Sequence, residues 1–166
     1  MDASLAENRK PMQVVVFTLE GKSLALDILK VQEILRMVEI TPMPKMPSFA
    51  LGVINLRGKI VPIINIREKL NLPERKPTGR TCIILIRSGE RILGFLVDDV
   101  AEVLSLPADS LAKPENGPDW VESDLYLGVG KLPGKLLVVI DSDRLLSPKE
   151  EKQLQKARTG PMPFQE

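Results

Sequence analysis

Residues 51–65 read LGVINLRGKIVPIIN, and residues 127–141 read LGVGKLPGKLLVVID. Each stretch holds two apolar runs that flank a short turn ending in glycine, at Gly58 and at Gly134. Apolar runs of this length around a glycine turn are typical of a β-hairpin. The two stretches therefore predict the same hairpin at two places in the chain.

The duplication extends upstream of both hairpins. Residues 14–19 (VVVFTL) match 82–87 (CIILIR), and residues 31–35 (VQEIL) match 100–104 (VAEVL). A repeated plan separates two kinds of residue, because those that both copies keep are expected to be scaffold. A residue that only one copy has is a candidate for function.

The repeated pattern predicts an all-β fold with little helix. Each copy has about five short runs with strand character, and aromatic residues make up only 4% of the chain. Two small β-barrels built on one plan fit this pattern better than a single sandwich. The prediction is two tandem five-stranded barrels, SH3-like or OB-like and packed side by side, with the first over residues 12–80 and the second over residues 81–146.

The end of the chain predicts a short C-terminal helix over residues 147–157. Residues 147–150 (SPKE) combine a cap residue, a proline suited to the first helical position and a glutamate that completes a capping box. The apolar face of this helix is thin, so a surface position is expected. The tails, residues 1–11 and 158–166, are predicted to be flexible.

Composition excludes several classes of protein. The chain of 166 residues has a net charge of +1, so it lacks the basic character of a protein that binds nucleic acid or an anionic membrane surface. No apolar run reaches the ~18 residues of a membrane span, and the polar start of the chain has no signal-peptide pattern. The single cysteine, Cys82, lies in an apolar run and is interpreted as a small buried side chain in a reducing compartment. We therefore expect a cytoplasmic protein that does not insert into a membrane.

The residue types present also limit catalysis. The chain has no histidine, which excludes Ser-His-Asp and Cys-His nucleophile pairs and zinc sites built from imidazole. Asp98 and Asp99, and the pair Asp141 and Asp143, follow apolar runs, where acidic residues commonly end strands and cap the next segment. A structural role is predicted for these carboxylates, and a catalytic role is the alternative. No catalytic residue, metal site or cofactor is predicted.

The two copies differ at the hairpin turn. Arg57 in the first copy stands opposite Pro133 in the second, and Asn55 stands opposite Lys131. Arg57 is therefore not required by the shared plan. One interpretation is that its side chain points into water; the other is that its planar guanidinium engages a carboxylate, for which Glu33 is the candidate within the chain.

These residues carry a resemblance to a known family. The segment from Gly52 to Gly58 (GVINLRG), followed by Ile60-Val61-Pro62 and Arg67, resembles the signature of the CheW-type chemotaxis coupling proteins. The resemblance covers about residues 13–146. Asn65 stands where this family usually has aspartate.

The resemblance implies a non-enzymatic adaptor built from two small five-stranded barrels, which in this family can exchange strands. Such proteins join transmembrane chemoreceptors to the chemotaxis histidine kinase. The implied partners are the regulatory domain of that kinase and the cytoplasmic tip of methyl-accepting chemoreceptors, with recruitment from the cytoplasm to membrane-associated receptor clusters. The positions that match the family's partner contacts are Val31, Glu33, Asn55 and Arg57, with the apolar Ile28, Val100 and Val103 nearby.

Two alternative functions are considered beside the adaptor function. Small β-barrels also bind single-stranded nucleic acid through basic grooves and aromatic platforms, but few aromatics and a balanced charge disfavour this. Within the family, the second alternative is an adaptor of a chemosensory pathway that controls surface motility, development or another output rather than swimming.

Overall fold

The computed structural model describes residues 11–107, 109–112, 118 and 123–158, so residues 1–10 and 159–166 of the two predicted tails lie outside the described residues. The strands are β1 (Met12–Leu19), β2 (Lys22–Asp27), β3 (Val31–Arg36), β4 (Ala50–Leu56), β5 (Lys59–Ile64), β6 (Cys82–Ser88), β7 (Arg91–Val97), β8 (Asp99–Leu106), β9 (Leu111–Ala112), β10 (Tyr126–Leu132) and β11 (Lys135–Ile140). The helices are α1 (Ile66–Lys69) and α2 (Pro148–Arg158), with 3-10 turns at Ile28–Lys30, Ser123–Leu125 and Ser142–Arg144. The all-β prediction with a short C-terminal helix is confirmed.

The strands form two sheets, and each sheet contains strands of both copies. The five-stranded sheet has the order β3-β6-β7-β5-β4, and the six-stranded sheet has the order β8-β1-β2-β11-β10-β9. The first hairpin of each copy, β1–β2 or β6–β7, therefore lies in the sheet that holds the rest of the other copy. A boundary near residue 80 separates the copies along the sequence and does not separate the sheets.

Each of these two exchanged hairpins, β1–β2 and β6–β7, joins the strands of the other copy through one parallel strand pair. Strand β2 lies parallel to β11, with Leu24 opposite Val138, and strand β7 lies parallel to β5, with Gly94 opposite Ile63. The other strand pairs are antiparallel. Because parallel strands end at the same edge of a sheet, the segments that follow β2 and β11, or β7 and β5, emerge side by side.

Both faces of the exchanged hairpins are buried, which explains their unbroken apolar sequence. In β6, Ile83 and Leu85 face a core within the five-stranded sheet, whereas Ile84 and Ile86 face a larger core that both sheets share. Successive strand residues point to opposite faces, so a strand that is buried on both faces reads as a continuous apolar run. The six-stranded sheet encloses a third core of its own.

Two glycines of the repeat are needed for close backbone packing. A Cβ on Gly52 would lie 2.4 Å from the carbonyl oxygen of Thr41, and a Cβ on Gly128 would lie 2.7 Å from that of Ala112. In both copies a further piece of backbone pairs with the hairpin beside this glycine. The scaffold role predicted for the shared glycines agrees with this contact.

Helix α2 begins with the predicted capping box. The Ser147 amide donates to Glu150 Oε1 at 3.0 Å, and the Glu150 amide donates to Ser147 Oγ at 3.1 Å. The helix is less superficial than its thin apolar face predicts, because the side chain of Leu154 is completely buried in the shared core. Leu154 therefore anchors the helix to this core.

Within the described ranges, no helix combines the length and the apolar character that crossing a bilayer requires.

Candidate functional site

The β4–β5 turn gives Arg57 an unusual backbone. Arg57 has φ of 51° and Gly58 has φ of 87°, so both central residues of this two-residue turn are left-handed, as a type I′ hairpin turn requires. The Asn55 side chain supports the turn by accepting a hydrogen bond from the Gly58 amide at 2.9 Å. A left-handed backbone is unfavourable for a residue with a Cβ. The turn therefore holds Arg57 at a cost that glycine would avoid.

The second copy closes its hairpin with a different turn. Pro133 occupies the position of Arg57, and its ring fixes φ near −65°. Gly134 follows with φ of 77°, which together with proline fits a type II turn. The two hairpins thus reach the same strand pairing by different backbones, and only the first presents a long cationic side chain from the turn.

Arg57 and Glu33 form a bidentate ion pair. Arg57 Nη2 donates to Glu33 Oε1 at 2.7 Å, and Nη1 donates to Oε2 at 3.3 Å. The Arg57 side chain is 69% exposed and that of Glu33 is 30% exposed, so the carboxylate fixes the guanidinium while most of it faces solvent. The hydrogen bond from Arg57 lowers the pKa of Glu33, and the hydrogen bond to Glu33 raises the pKa of Arg57.

This ion pair joins two edges of one sheet. Glu33 lies on β3 and Arg57 follows β4, and these are the two edge strands of the five-stranded sheet. Their contact means that the sheet curls until its edges meet, which is barrel-like closure. In the second copy the counterpart Glu102 on edge strand β8 accepts a hydrogen bond from Lys135, beside the β10–β11 turn, at 3.2 Å. Both copies therefore place a carboxylate of an edge strand against a cation of the hairpin.

The structure brings only some of the sequence-predicted residues together. Glu33, Asn55 and Arg57 form one cluster at the β4–β5 turn. Val31 at the start of β3 and Val100 at the start of β8 are both partly buried against the shared core. Ile28, in the 3-10 turn before β3, is 37% exposed, and Val103 on the six-stranded sheet is 55% exposed.

A buried ion network lies at the other end of β5, and the sequence analysis did not identify it. Arg67, only 8% exposed, donates to Glu20 Oε1 at 2.5 Å, to the Pro73 carbonyl at 2.9 Å and to the Asp98 carboxylate. Asp98 also accepts from the Glu20 amide at 2.9 Å. A hydrogen bond from Arg75, together with that from Arg67, lowers the pKa of Glu20 against the opposing effect of desolvation.

The sequence contains the residues of this network, but their proximity can be recognised only once the strand order is known. Arg67 follows β5 and Asp98 follows β7, and these two strands are parallel neighbours. Without knowing that β7 crosses to the sheet of the first copy, no rule brings residue 67 to residue 98. The contacts that Asp98 makes agree with the structural role predicted for it.

The arrangement at the β4–β5 turn suits the binding of a partner better than catalysis. It offers a fixed guanidinium that is largely exposed to solvent and an acidic partner that neutralises it. In the part of the chain that the structure describes, no three acidic or cysteine side chains are grouped as a metal site would require. A planar cation held in place is the usual means of engaging a carboxylate or a backbone carbonyl on another molecule.

The family model for the CheW-like domain matches residues 13–150. The chain belongs to the CheW-like family. It is 34% identical to the chemotaxis protein CheW of Klebsiella aerogenes, a match that covers 89% of each chain, and 31% identical to that of Rhizobium meliloti, over 85% of this chain and 90% of the relative. A crystal structure of the scaffolding protein TtCheW from Thermoanaerobacter tengcongensis superposes with a TM-score of 0.77 at 29% identity, covering 86% of this chain and 92% of the other.

These comparisons confirm the family predicted from the GVINLRG segment and its flanks. The predicted function, that of a chemotaxis coupling protein, is thereby confirmed. The relatives that match this chain are named as chemotaxis and scaffolding proteins.

Proposed function

We propose that this chain is a non-enzymatic adaptor that couples transmembrane chemoreceptors to a chemotaxis histidine kinase. The observation that carries the proposal is the exposed Arg57–Glu33 ion pair on a turn whose backbone is strained. The shared plan of the two copies closes the same hairpin with Pro133 and no arginine. A costly feature that the fold does not need is best explained by a partner that uses it.

The two kinds of partner call for two kinds of contact. The receptor tip is a helical hairpin, and we propose that it docks with apolar contacts to Val31 and Val100 at the margin of the shared core, with Arg57 making a charge-assisted hydrogen bond at the rim. Asn55 supports the turn that presents Arg57. Ile28 and Val103 are exposed apolar side chains that extend this surface.

The kinase contact is proposed to use a barrel end. The regulatory domain of the kinase is expected to have the same double-barrel plan, so a barrel of one protein meets a barrel of the other in a roughly pseudo-symmetric apolar contact. The adaptor acts from the cytoplasm and is recruited to receptor clusters through these contacts.

The test replaces Arg57 with glutamate. Arg57→Glu puts a negative charge against Glu33 and removes the donors, so it should weaken capture of a receptor-tip fragment or the kinase regulatory domain. The melting temperature should stay close to that of the wild type, because a solvent-exposed ion pair contributes little to folding. Pull-down affinity and thermal unfolding are measured on the same preparations.

Lys152→Glu provides the matched control, since it makes the same change in charge at an exposed position of helix α2. The control variant should bind as the wild type does. Undiminished binding by Arg57→Glu, or equal loss in the control, would argue against the assignment of Arg57 to the docking surface.

A further inference from the structure

The chain passes from one sheet to the other at two short crossovers. After β2 it leaves the six-stranded sheet through the 3-10 turn Ile28–Lys30 and enters β3 of the five-stranded sheet. After β7 it leaves the five-stranded sheet at Asp98 and enters β8 of the six-stranded sheet. Because of these two crossovers, each copy's first hairpin lies in the sheet of the other copy.

Each crossover is held by an ion pair to the segment that follows its parallel neighbour. Lys30 Nζ donates to Asp143 Oδ2 at 3.0 Å, and Asp143 lies just after β11. Asp98 accepts from the buried guanidinium of Arg67, which lies just after β5. The Lys30–Asp143 pair is about half exposed, with side-chain exposures of 43% and 52%. In the Arg67–Asp98 pair the arginine is 9% exposed and the aspartate 38%.

The two pairs share one anchoring place in the repeat, but their crossover residues stand one position apart. Arg67 and Asp143 each stand two residues after the end of the repeated stretch, at Asn65 and Asp141. Lys30 stands one residue before Val31, whereas Asp98 stands two residues before Val100, the counterpart of Val31. In the first pair the crossover supplies the cation, and in the second it supplies the carboxylate.

The same crossovers carry apolar residues of the proposed docking surface. Lys30 lies between Ile28 and Val31, and Asp98 lies two residues before Val100. The Val31 amide closes the 3-10 turn by donating to the Ile28 carbonyl, and the Leu29 amide donates to Asp27 Oδ1 at 3.0 Å. An ion pair at Lys30 therefore acts on a segment whose own hydrogen bonds are few and local.

We propose that the ion pairs Lys30–Asp143 and Arg67–Asp98 are positioning pairs that fix the two crossovers and thereby set the docking residues Ile28, Val31 and Val100. The proposal rests on the proposed adaptor function, because the docking role of these three residues does. None of the four charged residues is required to touch a partner.

The exposed pair allows a charge-reversal test that spares the buried network. The variants are Lys30→Asp, Asp143→Lys and the double variant with both changes, and Lys152→Asp on helix α2 is the matched control. The first readout is the amide hydrogen exchange rate of Val31 in the free protein. The second is affinity for the purified kinase regulatory domain and for a soluble receptor-tip fragment.

Each single variant should speed Val31 exchange and weaken binding by about two- to fivefold, the size expected for a half-exposed ion pair. The double variant restores opposite charges, so it should bind more tightly than either single variant and exchange more slowly. The control should leave both quantities unchanged. Recovery in the double variant is the result that a loss of a direct contact by Lys30 would not give.

Three results would overturn the proposal. Single variants with wild-type exchange and affinity would show that the pair positions nothing. Faster exchange with unchanged affinity would make the pair purely structural. A double variant no better than the single variants would mean that the individual side chains matter and not their pairing. Failure of the wild type itself to bind either partner would instead contradict the adaptor function, and Val31 exchange would still report whether the pair fixes the crossover.

Discussion

Two residues with a left-handed backbone also take part in ion pairs. Four non-glycine residues in the described ranges have positive φ, namely Glu20, Lys45, Arg57 and Asn71, and the ion-paired ones are Glu20 and Arg57, with φ of 51° each. A left-handed backbone costs a residue with a Cβ about 1–2 kcal/mol. At Glu20 the buried contacts with Arg67 offset this cost, whereas the pair of Arg57 is largely exposed and offsets less of it. The difference singles out Arg57 as a residue retained for a reason outside the fold.

Glu33 should titrate at a lower pH than an ordinary glutamate. The pKa of Glu33 is lowered by the hydrogen bond from Arg57, so the pair stabilises the folded protein above the ordinary glutamate pKa of about 4.3 and is lost as pH falls through the lowered value. Carbon-detected NMR of the side-chain carboxyl measures this midpoint directly. The midpoint should return to the ordinary range in Arg57→Gln; equal midpoints in the two proteins would contradict the pairing.

At the scale of elements, the hairpins could be predicted from the sequence and their turns only in part. Two apolar runs around a glycine turn predict β4–β5 and β10–β11 within a residue or so. The sequence also offers Pro133 and Arg57 as a contrast, but the type I′ geometry follows only from the observed φ values at Arg57 and Gly58. The sequence offers Glu33 as a candidate partner of Arg57, and the bidentate geometry of the pair follows only once the two edge strands of the sheet are seen to meet.

Pro62 lies in a central strand, where a proline is not expected. A proline in a strand predicts an edge or a bulge, yet β5 lies between β7 and β4. The parallel pairing of β5 with β7 starts only at Ile63, whereas in the second copy Val138, the counterpart of Pro62, does pair with Leu24. Each parallel ladder has two residue pairs, so the missing amide of Pro62 goes with a ladder that begins one residue later and leaves the strand inside the sheet.

Helix α2 should contribute to the stability of the whole chain through Leu154. The side chain is fully buried in the shared core, so Leu154→Ala should lower the free energy of unfolding by about 2–5 kcal/mol. Gln155→Ala, at the adjacent exposed position, should change it by less than about 0.5 kcal/mol. Urea denaturation of the two variants measures both values, and a small effect at Leu154 would mean that the helix does not seal the core.

At the scale of the whole molecule, the exchange of hairpins fuses two barrels into one structure. Phe17 of β1 and Phe95 of β7 meet in the shared core with ring centroids 5.9 Å apart, so the two exchanged hairpins pack directly on each other. The sequence shows the repeat but not which sheet each hairpin joins. Both arrangements satisfy the same apolar pattern, so the pattern does not choose between them.

The fused core predicts a single unfolding transition. Since both sheets depend on the shared core, neither should unfold alone, and thermal unfolding should be two-state with equal calorimetric and van't Hoff enthalpies. Phe95→Ala should lower stability by about 3–5 kcal/mol without splitting the transition. Two separate transitions, or probes in the two sheets that report different midpoints, would show that the barrels are independent.

The most direct test of the adaptor function is a reconstitution with purified components. Autophosphorylation of the chemotaxis kinase is measured with soluble receptor-tip fragments, in the presence and absence of this chain. The receptor should change the kinase rate only when the chain is present, and Arg57→Glu should not substitute for the wild type whereas Lys152→Glu should. Receptor control that is equally strong without the chain would contradict its role as the coupling element.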